Sequence, residues 1–487
     1  RLRDMGIGYQ LNFQDLLGAT LGGFDFGEYY GWENLVDQKG REAKGCACPL
    51  GKKFRSQTEK RLKIWAETEP DIIWIDDDFR MHNHGTPIFA AMEGEDTYPD
   101  YYCYCDEHIR LFNHKNKSNY TREEIVNSIT AAGEPNSIRI AYLDFLNEIM
   151  NETADWIRKI IQSTCPETRV AIMTSMPDTH SAEGREWGTF LKSLSGEYAP
   201  ILRPHFGPYQ EDDPRKFISC YKMLAQTMEH IKQGYGEVVY CPEIENTRYT
   251  IWSKSASATS CQLMLSAFMG SKDVTLALHD LDGGMLDDEP FYKKMLIREK
   301  PVLDKIVSLD LGRFPNEGVV IPTSVYSGKT CILEKGEGYP ELEGSNRNIE
   351  VQFLKAGIPC CYRSPSELGE GIVALDGYTA AFLSDQELLT ILKGAVILEG
   401  NAIKKLCERG FAKYIGVEIL QEQRMVANAE MLYTMSRKDG TSIRIPLRTP
   451  AGCWYATSPD QKATILSELL APNGDKFPGF VLYENAI

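Results

Sequence analysis

The apolar residues of the first three hundred positions fall into six short runs, most of them separated by helix-like patterns. One such pattern, residues 137–162, repeats apolar residues every three or four positions, which predicts an amphipathic helix. Strands that alternate with helices are typical of a parallel sheet. The six runs that we predict as strands are 6–12, 72–78, 169–174, 201–207, 238–245 and 274–280.

The number and order of these runs favour an α/β fold of the eight-stranded (β/α) TIM-barrel type. Because only six strands are found, we expect the first two to precede Arg1 and the chain to be a piece of a longer polypeptide. A doubly wound sheet is the competing fold, but the sequence has no glycine-rich phosphate loop to support it. Two long segments without a predicted strand, 20–60 and 81–135, are expected to be loops at the mouth of the barrel.

A change of pattern after Asp310 indicates that the barrel domain spans residues 1–312. Residues 313–420 mix β-like runs with helical patterns at 385–392 and 401–409, which predicts a smaller α/β domain. We expect residues 421–487 to form a β-rich C-terminal segment. The β-like runs of the second domain are 318–322, 349–355, 358–362, 371–376 and 395–398.

The composition is that of a globular protein with more than one domain: 487 residues, 43% hydrophobic and 25% charged. The formal net charge of −16 argues against nucleic acid as a partner, because no basic field offsets the phosphates. No apolar segment reaches the length that crosses a membrane, so no membrane partner is expected. The 13 scattered cysteines predict reduced thiols or metal ligands, and a cytoplasmic location unless a signal peptide precedes Arg1.

Three consecutive carboxylates mark the end of the second predicted strand. Asp76, Asp77 and Asp78 follow an apolar run directly, and Arg80 comes two positions later. Adjacent acids repel one another and need water, a cation or a substrate nearby. Charge that is concentrated at the end of a buried strand is typical of an active site at the C-terminal mouth of a parallel barrel, although a solvated acidic turn has the same pattern.

A second acidic strand end lies three strands further along the chain, at Glu243 and Glu245. Alternate residues of a strand face the same side, so both side chains are predicted to point into the mouth that Asp78 also faces. Two carboxyl groups across a pocket are the minimum for glycoside hydrolysis, and they are about 5–5.5 Å apart in retaining enzymes. The sequence leaves open which glutamate is the nucleophile and whether the other one pairs with Arg80 or Arg248.

The segment 74–79, Trp-Ile-Asp-Asp-Asp-Phe, resembles the W-x-I-D-N-E-Y segment of glycoside hydrolase family 42, the β-galactosidase-type barrel enzymes. The resemblance implies a retaining β-glycosidase in which Asp78 is the acid/base, Asp77 binds the sugar 2-hydroxyl and Glu243 is the nucleophile. The chain departs from the family pattern at two positions, with Asp77 in place of Asn and Asp78 in place of Glu. We therefore expect a divergent relative, in which one aspartate raises the pKa of the other.

Other segments extend the resemblance over most of residues 1–420. Arg41, in a Gly-Arg pair, is implied to lie near the substrate, and Trp252 keeps a spacing similar to the family's. Segments 374–377 and 406–410 are similar to the family's flavodoxin-like trimerisation domain. This similarity implies a flavodoxin-like fold for residues 313–420 and a homo-oligomer, by resemblance a trimer.

A group of cysteines with one histidine has the ligand types of a tetrahedral zinc site. Cys103, Cys105 and His108 lie close together in the sequence, and Cys48 or Cys46 supplies a fourth ligand. The resemblance implies a structural zinc, since these segments are similar to the family's zinc-binding C-P and C-Y-C-x-x-C segments. The alternative is ordinary reduced cysteines in packed loops.

Polar and aromatic residues near the strand ends complete the predicted sugar site. The predicted substrate-binding residues are Asp77, Arg41, Arg80, His82, Trp252, His279 and Asp280. Tyr209, after the fourth run, is a weaker candidate for orienting the nucleophile. Trp252 is alternatively a core residue, and His279 with Asp280 a structural ion pair.

Two other functions remain open from the sequence. A cluster of Asp76–Asp78, His82 and His84 could hold catalytic metals in a metal-dependent hydrolase. The third possibility is a catalytically inactive sugar-binding relative. The prediction that the residues favour is a retaining hydrolase of a β-linked glycoside, with a carbohydrate as substrate and no cofactor beyond a structural zinc.

Overall fold

The computed structural model describes residues 3–14, 16–18, 26–81, 102–212, 216–246, 252–279, 290–314, 316–334, 339–344, 349–427, 429–436, 442–447 and 452–485. The chain divides into two compact units. The first contains Arg1–Asn316 together with Thr323–Ser345, and the second contains Glu317–Pro322 together with Asn346–Ile487. No helix among the described residues is both long enough and apolar enough to cross a membrane.

Parallel strands form the centre of the first unit and follow one another in chain order. The nine strands described there are β1 (Gln10–Phe13), β2 (Asn34–Val36), β3 (Glu42–Ala47), β4 (Ile72–Ile75), β5 (Arg169–Met173), β6 (Ile201–Arg203), β7 (Val239–Tyr240), β8 (Glu243–Glu245) and β9 (Thr275–Ala277). The sheet has the order β1-β4-β5-β6-β7, and all its pairs are parallel. β8 pairs in parallel with β9.

β7 and β8 belong to one extended run that is interrupted at Cys241 and Pro242. The backbone N–H of Cys241 donates to the carbonyl of Leu202 (2.8 Å), and that of Glu243 donates to the carbonyl of Pro204 (3.0 Å). The run thus continues the ladder along β6 and carries it to β9. All six predicted strands are confirmed, and their C-terminal ends lie at one edge of the parallel array.

Helices connect the strands of the first unit, as parallel neighbours require. They are Phe26–Tyr30, Lys52–Ala66, Asp106–Asn116, Arg122–Ile129, Ser137–Thr164, Pro177–Ala182, Trp187–Ser195, Lys216–Lys232, Ala256–Phe268, Pro290–Ser308, Ser327–Thr330 and Tyr339–Leu342. The predicted helix at 137–162 is confirmed as Ser137–Thr164. It begins at Asn136, whose side chain accepts hydrogen bonds from the N–H groups of Ile138 and Arg139.

The prediction of two long mouth loops is wrong in part, because both segments contain regular structure. The first includes the β2–β3 hairpin and begins the helix Lys52–Ala66, which is the crossover between β1 and β4. The second includes the helices Asp106–Asn116 and Arg122–Ile129. The crossover helix was missed because its buried residues, Phe54, Thr58, Leu62 and Ala66, recur only every fourth position and include a threonine.

The second unit contains a four-stranded parallel sheet. Its strands are β10 (Val319–Pro322), β11 (Cys360–Arg363), β12 (Val373–Leu375) and β13 (Val396–Leu398), in the order β11-β10-β12-β13. This is the 2-1-3-4 order of flavodoxin-like doubly wound folds. Its helices are Ile349–Lys355, Gly377–Phe382, Asp385–Leu392, Gly400–Glu408 and Ala412–Ile415.

The β-like run predicted at 349–355 is a helix, Ile349–Lys355. Its alternating apolar and polar residues have the pattern of a strand, but β10 and β11 are parallel neighbours that only a crossover can join. The need for a crossover between β10 and β11 therefore overrides the strand-like pattern of residues 349–355.

The homo-oligomer implied by the resemblance stays a prediction.

The β-rich C-terminal segment is confirmed. The strands after Ile415 are β14 (Val417–Ala427), β15 (Ala429–Ser436), β16 (Ser442–Leu447), β17 (Gly452–Pro459), β18 (Thr464–Ile465), β19 (Ser467–Leu470), β20 (Lys476–Pro478) and β21 (Val481–Leu482). They form antiparallel sheets. These strands lie in the same compact unit as the parallel sheet, so the predicted boundary at residue 421 stays a prediction.

Candidate active site

Glu243 lies at the centre of a group of side chains at the C-terminal end of β6 and the start of β8. It begins β8, and Arg203 ends β6, which is its neighbour in the ladder. Arg203 Nη1 lies 2.6 Å from Glu243 Oε1, and His205 Nδ1 lies 3.4 Å from Glu243 Oε2. The hydroxyl of Tyr209 donates to Glu243 Oε2. One carboxylate therefore has a cation on one oxygen and two ring groups on the other.

These partners determine the charge of Glu243. Burial opposes ionisation of its carboxyl, but the charge of Arg203 and the hydrogen bonds from His205 and Tyr209 lower its pKa to about 2. The side chain is therefore an anion at neutral pH, although only 5% of the residue is exposed. Arg203 and Tyr209 also fix its orientation, as a nucleophile requires.

Glu245 has the opposite behaviour on the same strand. Burial, the negative charge of Glu243 and a hydrogen bond between the two carboxyl groups raise the pKa of Glu245 to about 8. It is therefore a neutral acid at pH 7, beside an ionised Glu243. The prediction that the two glutamates share one face of the strand agrees with this contact.

Asp76 joins the group from the end of β4. Its Oδ1 lies 3.7 Å from Arg203 Nη2, so one guanidinium contacts both Asp76 and Glu243. Its Oδ2 accepts a hydrogen bond from Asn12 Nδ2 on β1 (3.0 Å), and its Oδ1 accepts one from the N–H of Asp77 (2.7 Å). Burial and the charge of Asp77 raise the pKa of Asp76, against the lowering effect of Arg203.

Asp78, to which the resemblance assigns the acid/base role, contacts the backbone that follows β1. Its Oδ2 accepts hydrogen bonds from three consecutive backbone N–H groups, those of Leu16 (2.7 Å), Leu17 (2.7 Å) and Gly18 (2.9 Å). Burial raises the pKa of Asp78 well above its ordinary value, which taken alone suits a proton donor. These contacts anchor the chain after β1, and the role of Asp78 as a proton donor stays a prediction.

Asp77 and Arg80 contact each other within the same turn. Arg80 Nη1 lies 3.2 Å from Asp77 Oδ2 and donates to the Asp77 carbonyl (2.9 Å). About a fifth of the Asp77 side chain is exposed, whereas Arg80 is buried. Of the two, Asp77 is the better placed to meet a ligand, and its role at a sugar hydroxyl stays a prediction.

Five predicted substrate-binding residues remain. Three of them, Arg41, Trp252 and His279, lie in other parts of the first unit, and two lie outside the described residues. Arg41 forms an ion pair with Asp37 in the β2–β3 hairpin, with 2.8 Å between its Nη2 and Oδ2 of Asp37. Trp252 is 79% exposed and its ring lies 6.3 Å from that of Phe291, whereas His279 is half-buried after β9. His82 and Asp280 lie outside the described residues.

The four predicted metal ligands come together in the first unit. The ligand atoms of Cys48, Cys103, Cys105 and His108 all lie within 4.8 Å of one another. Cys48 Sγ is 3.9 Å from Cys103 Sγ and 3.7 Å from His108 Nδ1, and Cys105 Sγ is 3.2 Å from His108 Nδ1. Ligands of a tetrahedral zinc are about 3.6–3.8 Å apart, so the donor set and its spacing fit this metal. The fourth member of this group is Cys48, while Cys46 is a buried residue of β3, and the zinc itself stays a prediction.

The predicted metal-dependent hydrolase rests on Asp76–Asp78 and two histidines. His82 and His84 both lie outside the described residues, so this alternative stays a prediction. Among the described residues, the potential metal-binding group is the one at Cys48 and not one at the aspartates.

Sequence reasoning missed the residues that connect the acidic strand ends. Arg203, His205 and Asn12 were not considered, although each stands at the end of a predicted strand or within one. A polar residue near the end of an apolar strand, where the strand reaches the mouth of the barrel, is the sequence feature that could have identified them. Lys254 was also missed: burial lowers its pKa to about 8, and its Nζ donates to Gln262 Oε1 (2.7 Å). Trp74, the first residue of the segment 74–79, is a core residue.

Comparison with known proteins identifies the fold. No protein-family model matches the chain, and no curated protein matches it in sequence. Solved structures do match it over nearly its whole length. The β-galactosidase from Rahnella sp. R3 has a TM-score of 0.55 at 10% identity, and the match covers 98% of this chain and 74% of that one. The chain has the (β/α)-barrel fold of such enzymes.

Two further structures support the same fold. A GH42 β-galactosidase from G. stearothermophilus, determined as a catalytic mutant, matches with a TM-score of 0.53 at 11% identity and covers 98% of this chain and 74% of its own. An α-L-fucosidase from Paenibacillus thiaminolyticus matches with a TM-score of 0.53 at 10% identity, over 96% of this chain and 63% of its own. The predicted barrel is therefore confirmed as the fold of the first unit.

Because the pKa of Glu245 is raised beside Glu243, we expect the stability of the protein to depend on pH. The substitution Glu245→Gln should remove this dependence. The folded-state pKa of Glu245, about 8, lies above its ordinary value of 4.5, so ionising it costs folding free energy. This cost is absent below pH 4.5 and grows as the pH rises towards 8. We expect Glu245→Gln to melt several degrees above the wild type at pH 9 and close to it at pH 5, measured by differential scanning calorimetry.

The exposed Glu59, which pairs with Lys63 on the helix Lys52–Ala66, provides the control. Glu59→Gln should differ from the wild type by the same small amount at both pH values. An equal shift for Glu245→Gln at pH 5 and pH 9 would show that Glu245 does not carry a proton in the folded state.

Proposed function

We propose that this protein is a retaining glycoside hydrolase that cleaves a β-linked glycoside, with Glu243 as the nucleophile. The observation that carries the proposal is the ionised Glu243, which Arg203, His205 and Tyr209 hold at the end of a barrel strand beside carboxyls with raised pKa values. When the surroundings of two neighbouring carboxyls shift their pKa values in opposite directions, one is ionised and the other protonated at neutral pH. Glycoside hydrolysis needs such a pair, with the anion as nucleophile and the acid as proton donor.

The proposed chemistry is a double displacement. Glu243 attacks the anomeric carbon of the sugar while a protonated carboxyl gives its proton to the departing oxygen, and water then hydrolyses the glycosyl ester. Arg203 and Tyr209 restrict Glu243 to one rotamer, so little ordering of the nucleophile is needed in the transition state. The similar structures are named as β-galactosidases and an α-L-fucosidase. The substrate that we propose is therefore a β-galactoside or a related sugar.

A panel of 4-nitrophenyl β- and α-glycosides tests this function on the protein as it is. We expect release of nitrophenol from at least one β-glycoside, with the first sugar product in the β configuration by NMR. Turnover of α-glycosides alone, or an α-configured first product, would contradict the proposed mechanism. A ligand-induced rise in melting temperature without turnover would instead indicate the inactive sugar-binding relative.

We further propose that Cys48, Cys103, Cys105 and His108 bind one structural zinc. The ion would join the β2–β3 hairpin region to the start of the helix Asp106–Asn116 and would take no part in the chemistry. Elemental analysis should find one zinc per chain, and a strong chelator should lower the melting temperature by several degrees.

Substitution separates this site from ordinary thiols. Cys105→Ser should lose the zinc and melt lower, while Cys261→Ser, at an exposed cysteine elsewhere, should retain both the zinc and the melting temperature. Zinc content that Cys105→Ser leaves unchanged would exclude this site as the metal site.

A further inference from the structure

We propose that Asp76, rather than Asp78, is the acid/base partner of Glu243. This inference rests on the proposed function, and it concerns the residue that gives and takes the proton. It departs from the assignment by resemblance, which gives that role to the third aspartate of the run. The reason lies in what the two side chains contact.

Arg203 sets the distance between Asp76 and Glu243. Its Nη1 is 2.6 Å from Glu243 Oε1 and its Nη2 is 3.7 Å from Asp76 Oδ1. Because one planar guanidinium joins them, these two carboxyl oxygens are no more than about 9 Å apart. This upper limit leaves room for the separation of about 5–5.5 Å that the carboxyl pair of a retaining enzyme has.

The hydrogen bonds of Asp76 leave room for a proton. Asn12 donates to Oδ2 and the N–H of Asp77 donates to Oδ1, which occupies two of about four acceptor positions of the carboxyl. Burial favours the neutral acid. Asn12 lies on the neighbouring strand, so the side chain of Asp76 is oriented from two directions.

Asp78 differs from Asp76 in what its carboxyl contacts. A single oxygen of Asp78 accepts three N–H groups from Leu16, Leu17 and Gly18. To reach a substrate, the side chain would have to leave three buried amides without an acceptor, which is costly. Asp78 therefore acts as a structural anchor and Asp76 remains the carboxyl that shares Arg203 with Glu243.

Glu245 is the other neutral acid nearby, but it stands two positions from Glu243 on the same face of β8. The two carboxyls therefore lie side by side on one strand instead of across a sugar ring. In a retaining enzyme the acid/base and the nucleophile lie on opposite sides of the anomeric centre. Glu245 is therefore a positioning residue for Glu243.

The proton and the bonds balance in both steps. In the first step the Asp76 proton moves to the glycosidic oxygen, the bond from that oxygen to the anomeric carbon breaks, and Glu243 forms an ester to the same carbon. In the second step Asp76, now a carboxylate, takes a proton from water, whose oxygen displaces Glu243 from the carbon. The sum is the addition of one water to the glycosidic bond.

The role of Asp76 is tested by measuring how fast the Asp76→Asn variant hydrolyses glycosides whose leaving groups differ in acidity. A general acid contributes about 10²–10⁴-fold to the rate, and only where the leaving group needs a proton. We expect kcat/KM to fall at least about a hundredfold on an unactivated alkyl β-glycoside and by less than about tenfold on the 2,4-dinitrophenyl glycoside. Azide should restore turnover and yield the β-glycosyl azide, and the alkaline limb of the pH profile should disappear.

Three variants make the result specific. Asp155→Asn, remote on the helix Ser137–Thr164, should behave as the wild type. Azide rescue of Glu245→Gln, or an unchanged rate of Asp76→Asn on the alkyl glycoside, would overturn the assignment of Asp76. If Asp76→Asn does not fold, Asp76→Glu decides: a loss confined to the alkyl glycoside supports the assignment, and an equal loss on both substrates overturns it.

The same experiment distinguishes the two proposals. If the wild type hydrolyses no glycoside, or if Glu243→Gln keeps its full rate, the proposed function itself is wrong. If Glu243→Gln is inactive and Asp76→Asn retains the rate on the alkyl glycoside, only the assignment of Asp76 is wrong.

Discussion

The Glu243→Gln protein is expected to hydrolyse an aryl β-glycoside at least about a thousandfold more slowly than the wild type, because an amide oxygen does not replace a carboxylate nucleophile. The loss should appear in kcat, since Glu243 acts in bond formation and not in sugar binding alone. Glutamine has the same shape, and it can still accept the hydrogen bond from Tyr209. The measurement is steady-state kinetics on the substrate that the glycoside panel identifies.

The control for this experiment is Glu59→Gln, at an exposed glutamate on the helix Lys52–Ala66. It should keep the wild-type kcat, and circular dichroism should show that both variants are folded. A Glu243→Gln protein that keeps more than about a tenth of the wild-type kcat would exclude Glu243 as the nucleophile. If Glu245→Gln shows the loss instead, the nucleophile is two residues further along β8.

Asp78→Ala is expected to have the largest effect on stability. The substitution removes the acceptor of three buried N–H groups, those of Leu16, Leu17 and Gly18. A buried donor without an acceptor costs about 1–3 kcal/mol, so the free energy of unfolding should fall by at least about 3 kcal/mol. Urea denaturation, followed by tryptophan fluorescence, measures this difference.

Asp71 provides a matched control at the opposite end of β4. Its carboxylate also accepts a backbone N–H, that of Tyr9 (2.8 Å), but at an exposed position. Asp71→Ala should cost about 1 kcal/mol or less, because water replaces the lost acceptor. Equal losses for Asp71→Ala and Asp78→Ala would show that the three amides do not depend on Asp78.

The strands and the acidic strand ends could be predicted because they are local features. Four to eight consecutive residues determine each apolar run, and the residues just after a barrel strand lie at the mouth whatever the loops do. The same holds for the group at Cys48, Cys103, Cys105 and His108, whose types and partly local spacing are those of zinc ligands. Glu243 and Cys105 were singled out in this way, without knowledge of their neighbours.

The partners of these residues could not be predicted, because they come from distant positions in the chain. Arg203 meets Asp76 and Glu243 only after β4, β6 and β8 are placed side by side. Asp78 was predicted as the proton donor from the resemblance alone, which aligns it with the acid/base glutamate of the family segment. Only the fold shows that its oxygen accepts the amides at 16–18, which lie about sixty positions earlier.

The helix Ile349–Lys355 shows a second limit of local patterns. Its sequence alternates like a strand, and only the parallel pairing of β10 with β11 requires a helix between them. The order of strands in a sheet is a property of the whole unit. A local sequence pattern therefore predicts strands and helices well where they alternate regularly along the chain. It fails where the pairing of distant strands determines which element must connect them.

The central claim is that Glu243 becomes covalently bound to the sugar during turnover. A 2-deoxy-2-fluoro β-glycoside with a dinitrophenyl leaving group slows the second step and accumulates the glycosyl ester in a retaining enzyme. We expect the intact protein to gain the mass of one fluorosugar and peptide mapping to place it on Glu243. Label on Glu245, or no label on a protein that turns over the parent glycoside, would contradict it.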